Sequence, residues 1–353
     1  MKTICVLFGG ASTEHEVSLR SSSAVLRNLP RDRYQALMVG ITKDGRWLLY
    51  TGGIDGIEKG TWENSSNTCP AVLSPDRSHK GLLVLEQSGV RYQPVDVVFP
   101  VLHGKNGEDG TLQGLLDLAG IPYVGCGTLA SAVCMDKAVA HTLLVSAGIP
   151  KTRLIAVLPE DLQDIGGLER RLAEELGYPM FVKPANAGSS IGVTKVKAAD
   201  GLEEALRLAF MHDGKAVVEQ MVVGQEVECA VMGNEQPIAS DVLGEITPPD
   251  GVYDYDSKYL NDAAGLHVPA RIPESAAREI RALAVRAYKA VGCRGLSRVD
   301  FFVKSGGEVI LNEINTLPGF TSISMFPKLF EASGMTFPEI THRLISYALD
   351  TSI

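Results

Sequence analysis

The sequence predicts an α/β protein in three units: an open α/β sheet over residues 1–125, then α+β lobes over 126–217 and 218–353. Three observations carry that prediction. A chain of 353 residues exceeds what one simple core organises. Strand-like apolar runs alternate with helix-period segments through its first third. Near the C-terminal end, two apolar runs flank Gly306-Gly307 and read as a hairpin.

Composition narrows the function. Hydrophobic residues make up 45% and charged residues 21%, as in ordinary globular proteins. A net charge of −9 argues against a nucleic-acid surface, which usually carries a basic excess. No apolar run reaches transmembrane length, so no membrane partner is expected. Cys5, Cys69, Cys126, Cys134, Cys229 and Cys293 form no CxxC pair and suggest reduced thiols in a cytoplasm.

In chain order, residues 4–8 read as a buried strand and 16–29 as a helix. Further strands fall at 34–41, 46–50 and 95–100. Residues 51–80, rich in Gly, Asn and Ser, read as an insertion with poorly defined structure. A short helix covers 111–120. The second unit holds a helix at 136–147, strands at 178–185 and 193–197, and a helix at 201–210. Longer strands at 216–221, 226–233 and 238–246 are assigned to the third unit. Ile280, Leu283, Ala284, Ala287, Tyr288 and Val291 recur at helical spacing, so 274–292 is a helix that Pro273 starts and Gly292 ends.

The hairpin carries the chemistry. A two-residue turn at Gly306-Gly307 pairs Asp300 with Glu313 and Arg298 with Asn315, all on one face. Val299, Phe301, Val303, Ile310 and Ile314 make the other face apolar apart from Asn312. Opposed carboxylates repel across a strand pair. A divalent cation removes that penalty, and oxygen ligands suit Mg²⁺ with substrate phosphates. The alternative is a surface hairpin in which Arg298 neutralises one carboxylate.

Gly104-Lys105 and Gly214-Lys215 lack the Ser/Thr and glycine spacing of a P-loop, and Gly125, Gly127 and Ala130 match a dinucleotide motif by chance. Residues 183–196 differ: a strand delivers Lys183, and a loop through Ser189 and Ser190 can lie over a triphosphate. With the hairpin this points to ATP. Glu14 and Glu16 stand near a helix start, where dipole stabilisation explains acidic residues as well as catalysis does. His103 begins a polar loop at a strand end. Residues 219–228 offer backbone to an adenine edge and Glu226 to a ribose; three acidic residues on a sheet edge fit equally. Residues 253–262 read as a loop able to close over a site.

GGASTEHEVSL, LHGKNGEDGTLQG, MDK (135–137), VKPANAGSSIGV, YDYDSKYL, GLSRVDF and LNEINTLPGFTSISMFP together resemble the D-alanine–D-alanine ligases of the ATP-grasp superfamily over almost the whole chain. The resemblance implies ATP held between two α+β lobes, two D-alanine substrates and a homodimer. It implies two Mg²⁺ ions, replaceable by Mn²⁺, on Asp300, Glu313 and Asn315. Lys137, Lys183 and Ser190 would meet phosphates, with Lys258 closing on the γ-phosphate. Glu219, Glu226 and backbone at Met221 and Val222 would hold adenosine. Glu14, linked through Ser189 to Tyr259, would hold the first substrate's ammonium, with His103 nearby. Arg298 and the Gly319 N–H would form an oxyanion hole, and Ser324 with Met325 the second substrate's site. Related ligases make D-Ala–D-Ser or D-Ala–D-lactate; the YDYDSKY loop favours D-alanine. An inactive ATP-binding scaffold would need neither Asp300 nor Arg298.

Overall fold

The computed structural model describes residues 1–188, 191–247 and 265–350. β1 (Lys2–Gly9) is central to the first sheet, parallel to β2 (Tyr34–Ile41) on one side and β7 (Val97–Pro100) on the other. Ile4, Val6 and Phe8 enter one core, with α1 (His15–Arg27), while Cys5 and Leu7 enter another, with α3 (Thr111–Ala119). Burial on both faces explains why β1 reads as a continuous apolar run.

Beyond β2 the sheet continues antiparallel through β3 (Trp47–Tyr50), β4 (Thr68–Leu73), β5 (Gly81–Glu86) and β6 (Gly89–Pro94). Residues 51–80 therefore supply a strand, β4, to the sheet, contrary to their composition. A short α2 (Ile54–Glu58) and Trp62 explain the difference. Trp62 is 1% exposed and meets Phe8 edge-on at 4.9 Å. Gly40 makes room for it, since a Cβ there would lie 2.2 Å from the indole. One buried indole outweighs the polar residues around it.

α4 (Thr128–Met135) and α5 (Lys137–Ser146) lead to the second sheet, ordered β10 (Thr194–Val196), β9 (Met180–Pro184), β11 (Ala216–Gln220), β8 (Leu154–Val157). Helices α6 (Ile165–Glu175) and α7 (Leu202–Phe210) cover one face with Leu168, Leu172, Leu202 and Leu206. β11 pairs with β8 and β9, so the strand assigned to the third unit belongs to the second. A boundary at 217/218 would cut it.

The third sheet runs β15 (Gly265–His267), β14 (Gly244–Thr247), β12 (Gln225–Met232), β16 (Leu296–Val303), β17 (Val309–Asn315), with β13 (Ile238–Ala239) on β12. The expected strand at 238–246 is thus two strands. α8 (Glu274–Ala290) buries Ile280, Leu283, Ala284, Ala287 and Tyr288 against Val227, Val299, Phe301 and Leu311. Two further helices, α9 (Met325–Ala332) and α10 (Phe337–Asp350), join the β1 core to Ala230, Met232 and Leu296 of this sheet. The C-terminal segment thereby ties the first and third sheets into one apolar core.

Trp62→Ala should cost about 3–5 kcal/mol in denaturant unfolding, the usual range for a buried aromatic, with residues 51–80 becoming protease-sensitive only in the variant. Cleavage there in the wild type would contradict the packed arrangement.

Candidate active site

β16 and β17 place Asp300 opposite Glu313 and Arg298 opposite Asn315, as the pattern predicts, by a different route. Lys304 N–H bonds to Glu308 O at 3.0 Å and Gly307 N–H to Lys304 O at 2.8 Å, closing a three-residue loop with Gly307 at φ +83°. Phe301 accordingly pairs with Leu311 and Val303 with Val309. A bulge between that stretch and the Asp300–Glu313 pair restores the expected register. The apolar face of β17 is therefore Val309, Leu311 and Ile314; Ile310 is not on it.

The third sheet also pairs Glu228 on β12 with Asp300, so Glu228, Asp300 and Glu313 form a row across three strands. Arg298 lies beside that row. Its Nε and Nη2 donate to the two Asp300 oxygens at 2.8 and 2.7 Å, and Nε stands 3.1 Å from Glu228 Oε1. Burial opposes the guanidinium charge, but Asp300, Glu228 and Glu313 more than offset it and raise its pKa. Arg298 thus neutralises a carboxylate, as the alternative reading had it, but Asp300 is only 9% exposed, so this is no surface hairpin. Only its pairing with Asp300 sets Glu228 apart from the other acidic residues nearby, and sequence spacing does not show that pairing.

The second sheet contributes cations. Lys183 on β9 donates to Glu219 Oε2 on β11 at 2.6 Å, and Lys137 donates to Ala187 O at 2.6 Å. Burial works against both members of the Lys183–Glu219 pair, yet each charge holds the other, raising the lysine and lowering the glutamate. Glu226 and Glu313 also act on Lys183, and Lys151 and Lys137 on Glu219, so these groups converge between the two sheets. Met221 and Val222 are half-buried in the segment joining those sheets. Lys151, not foreseen, donates to Asn312 O at 2.5 Å, and burial pushes its pKa down to about 8 against the pull of Glu219 and Glu313.

Loops after β1 and β7 of the first sheet, with the end of β17 and the segment after it, supply the remaining groups. Glu14 is 6% exposed, whereas Glu16 faces solvent and pairs with Lys43 at 2.8 Å. A Cβ on Gly104 would lie 2.7 Å from Glu14 Oε2 and one on Gly188 3.4 Å away, which puts this carboxylate between the β7 loop and the glycine-rich loop. His103 Nδ1 is 3.1 Å from Leu317 O, so that nitrogen carries the proton, and Nε2 is 3.3 Å from Ser21 Oγ. Ser21 also accepts from Phe320 N–H at 3.2 Å. His103 and Ser21 thereby anchor the segment carrying Gly319. Asn315 Oδ1 accepts Leu317 N–H at 3.0 Å, and Ser324 Oγ accepts Thr321 N–H at 3.0 Å. Met325 departs from its expected place: its side chain is 3% exposed in the core, close to Gly244. Ser189, Ser190, Lys258 and Tyr259, with the expected closing loop, lie outside the described residues.

Two family models match, D-ala D-ala ligase N-terminus over residues 3–126 and D-ala D-ala ligase C-terminus over residues 143–346. The chain belongs to the D-Ala–D-Ala ligase family. It is 46% identical to the D-alanine–D-alanine ligase of Deinococcus radiodurans over 99% of both chains. The corresponding ligase of Acetivibrio thermocellus is 47% identical, over 99% of this chain and 96% of that one. Among solved structures, the VanG D-Ala:D-Ser ligase from Enterococcus faecalis has a TM-score of 0.89 at 44% identity, covering 98% of this chain and 99% of that one. The D-alanine–D-alanine ligase from Coxiella burnetii has a TM-score of 0.88 at 36% identity, covering 99% and 94%. The fold is therefore that of the ATP-grasp ligases.

Burial lowers the His103 pKa, but Glu108, 3.6 Å from Nδ1, and Glu14 more than offset this, so it is raised from 6.5. Glu108→Gln should move the His103 titration to lower pH, followed by its ring-proton resonances. A raised histidine pKa stabilises the fold below the unfolded value and loses that contribution as pH rises through the folded one. The variant's stability loss should therefore be greatest below pH ~6.5 and fade at alkaline pH. An unmoved titration would remove Glu108 as the cause.

Proposed function

We propose that this chain joins two D-alanines into D-alanyl-D-alanine at the expense of ATP, through a D-alanyl phosphate, releasing ADP and phosphate. The product would feed peptidoglycan precursor synthesis. The observation that carries this reading is the opposed pair Asp300 and Glu313 beside Arg298, with Lys183 of the second sheet close enough to act on Glu313. Family membership supports an ATP-dependent ligase.

The donor set fits Mg²⁺: two carboxylates and the Asn315 amide come from adjacent strands, and the Arg298 guanidinium already occupies the Asp300 oxygens as a cation. Among the described residues no three His, Cys, Asp or Glu form a protein-only metal cage. Asp300, Glu313 and Asn315 would leave other positions to phosphates and water, as Mg²⁺ commonly requires, with Mn²⁺ as a substitute. When bound, two such ions would neutralise charge on the phosphates.

Lys137 and Lys183, with Ser190 and Lys258, would neutralise phosphate charge while Glu219, Glu226 and the Met221–Val222 backbone hold adenosine. Positioning and electrostatics dominate phosphoryl transfer, so these residues are its main machinery. Glu14 would orient the first D-alanine's ammonium beside His103, with Ser189 and Tyr259 completing the network. The carboxylate, once phosphorylated, is an acyl donor. The second D-alanine, held at Ser324, loses an ammonium proton, its amine attacks the acyl carbon, and phosphate leaves. Arg298 and the Gly319 N–H would donate to the oxyanion, a role in which one lost donor costs about 3 kcal/mol elsewhere. Tyr253–Leu260 would exclude water, protecting the acyl phosphate. Unbridged cysteines and use of ATP support a cytoplasmic location, and no single described helix is long and apolar enough to cross a membrane. A homodimer is proposed from the family resemblance.

The VanG likeness gives a second reading, D-Ser as acceptor. The relatives named D-alanine–D-alanine ligases, at 46–47% identity over nearly the whole chain, support D-alanine. Phosphate release and product analysis with D-Ala, D-Ser and D-lactate should give mainly D-Ala–D-Ala near neutral pH; preference for D-Ser would overturn the acceptor. Asp300→Asn and Glu313→Gln should abolish turnover while the protein stays folded, because Glu228 still holds Arg298. ATP with Mg²⁺ should raise the melting temperature of the wild type far more than that of either variant. Normal turnover by Asp300→Asn would sink the metal assignment.

A further inference from the structure

We propose that Lys151 is a positioning residue for Glu313: it pins the β17 bulge that turns this carboxylate toward Asp300. The proposal rests on the metal-site reading above and adds a residue that acts through the backbone.

Its basis is register. With Phe301 opposite Leu311, an uninterrupted ladder would next set Asp300 opposite Asn312 and turn Glu313 to the opposite face, toward the apolar core under α8. One extra residue on β17 prevents that. Bulges persist where something fixes them, and here Pro150 and Lys151, just ahead of β8, hold β17 along the edge that β16 does not cover. Leu311 N–H donates to Pro150 O at 2.8 Å, and Lys151 bridges Leu311 in parallel fashion. The Lys151 side chain then reaches one residue further and donates from Nζ to Asn312 O at 2.5 Å. The backbone contact holds the last regular position; the ammonium holds the extra residue. Asn312 O is thus satisfied by a charged donor at the point where ladder bonding is interrupted.

Charge and geometry make opposite forecasts, which makes the role testable. Lys151 acts electrostatically on both Glu219 and Glu313. If it were only a nearby positive charge, its removal would tighten divalent-cation binding. If it holds the bulge, its removal lets Glu313 drift and weakens binding.

The experiment is Mn²⁺ binding followed by electron paramagnetic resonance, with and without ADP, on the wild type, Lys151→Met, Lys151→Arg and Asp300→Asn, each checked for cooperative melting. Lys151→Met should weaken Mn²⁺ about tenfold or more, beyond any change in melting temperature, and Lys151→Arg, which keeps a charged donor, should stay closer to the wild type. Unchanged or tighter binding in Lys151→Met overturns the positioning role. If Lys151→Met does not fold, Lys151→Gln tests the same point, since its shorter, neutral side chain should weaken Mn²⁺ and an unchanged affinity overturns the role. Failure of the underlying reading looks different: a wild type that binds no Mn²⁺, or an Asp300→Asn variant that binds as tightly, removes the metal site and the role of Lys151 together.

Discussion

Glu228, Asp300 and Glu313 stand side by side on three neighbouring strands, and the Arg298 guanidinium next to them bonds two of the three. Such a row is unfavourable unless cations share it, because opposed like charges repel and their burial removes the screening of water. The surrounding architecture follows from this constraint. Behind the row, α8 packs on Val299, Phe301 and Leu311 and fixes the strands. In front, Lys183 and Lys151 bring positive charge from the second sheet and its leading segment. Arg298 covers Asp300 and meets Glu228 in the free chain, and on the proposed mechanism it would donate to the oxyanion.

The same face of the third sheet changes character along its length. Glu226 and Glu228 on β12 give way to Ala230 and Met232, which lie in the core shared with β1, α9 and α10. That apolar end clamps the sheet to the first unit, so loops after β1 and β7 arrive beside the carboxylates. His103 and Ser21 hold the backbone around Gly319 by side-chain hydrogen bonds from the first unit. The loops after β1 and β7 and the carboxylate row are thereby mounted on one apolar core, with Lys183 brought to them from the second sheet.

Much of this was legible because alternation reports strand faces and helical spacing reports cores. β1, α8 and the pairing of Asp300 with Glu313 followed from such patterns. Local turn chemistry misled: Gly306-Gly307 suggested a two-residue turn, but Ser305 joins the loop, and the bulge at Asn312 cancels the shift. Composition misled at residues 51–80, where Trp62 supplies a core that averages conceal. Glu228 and Lys151 were invisible for another reason. Glu228 matters through a partner 72 positions away on a neighbouring strand, and Lys151 through a carbonyl 161 positions on, and neither spacing has a sequence signature.

A double-mutant cycle between Arg298 and Asp300, read as unfolding free energy without nucleotide or divalent cation, tests the central claim most directly. Arg298→Gln alone leaves Asp300 and Glu228 together without their guanidinium and should cost about 3–5 kcal/mol. Adding Asp300→Asn removes one of those charges and should recover part of the loss, giving a coupling of about 1–3 kcal/mol. Simple additivity of the two substitutions would contradict the account, because it would mean that the carboxylate row is not held together by Arg298.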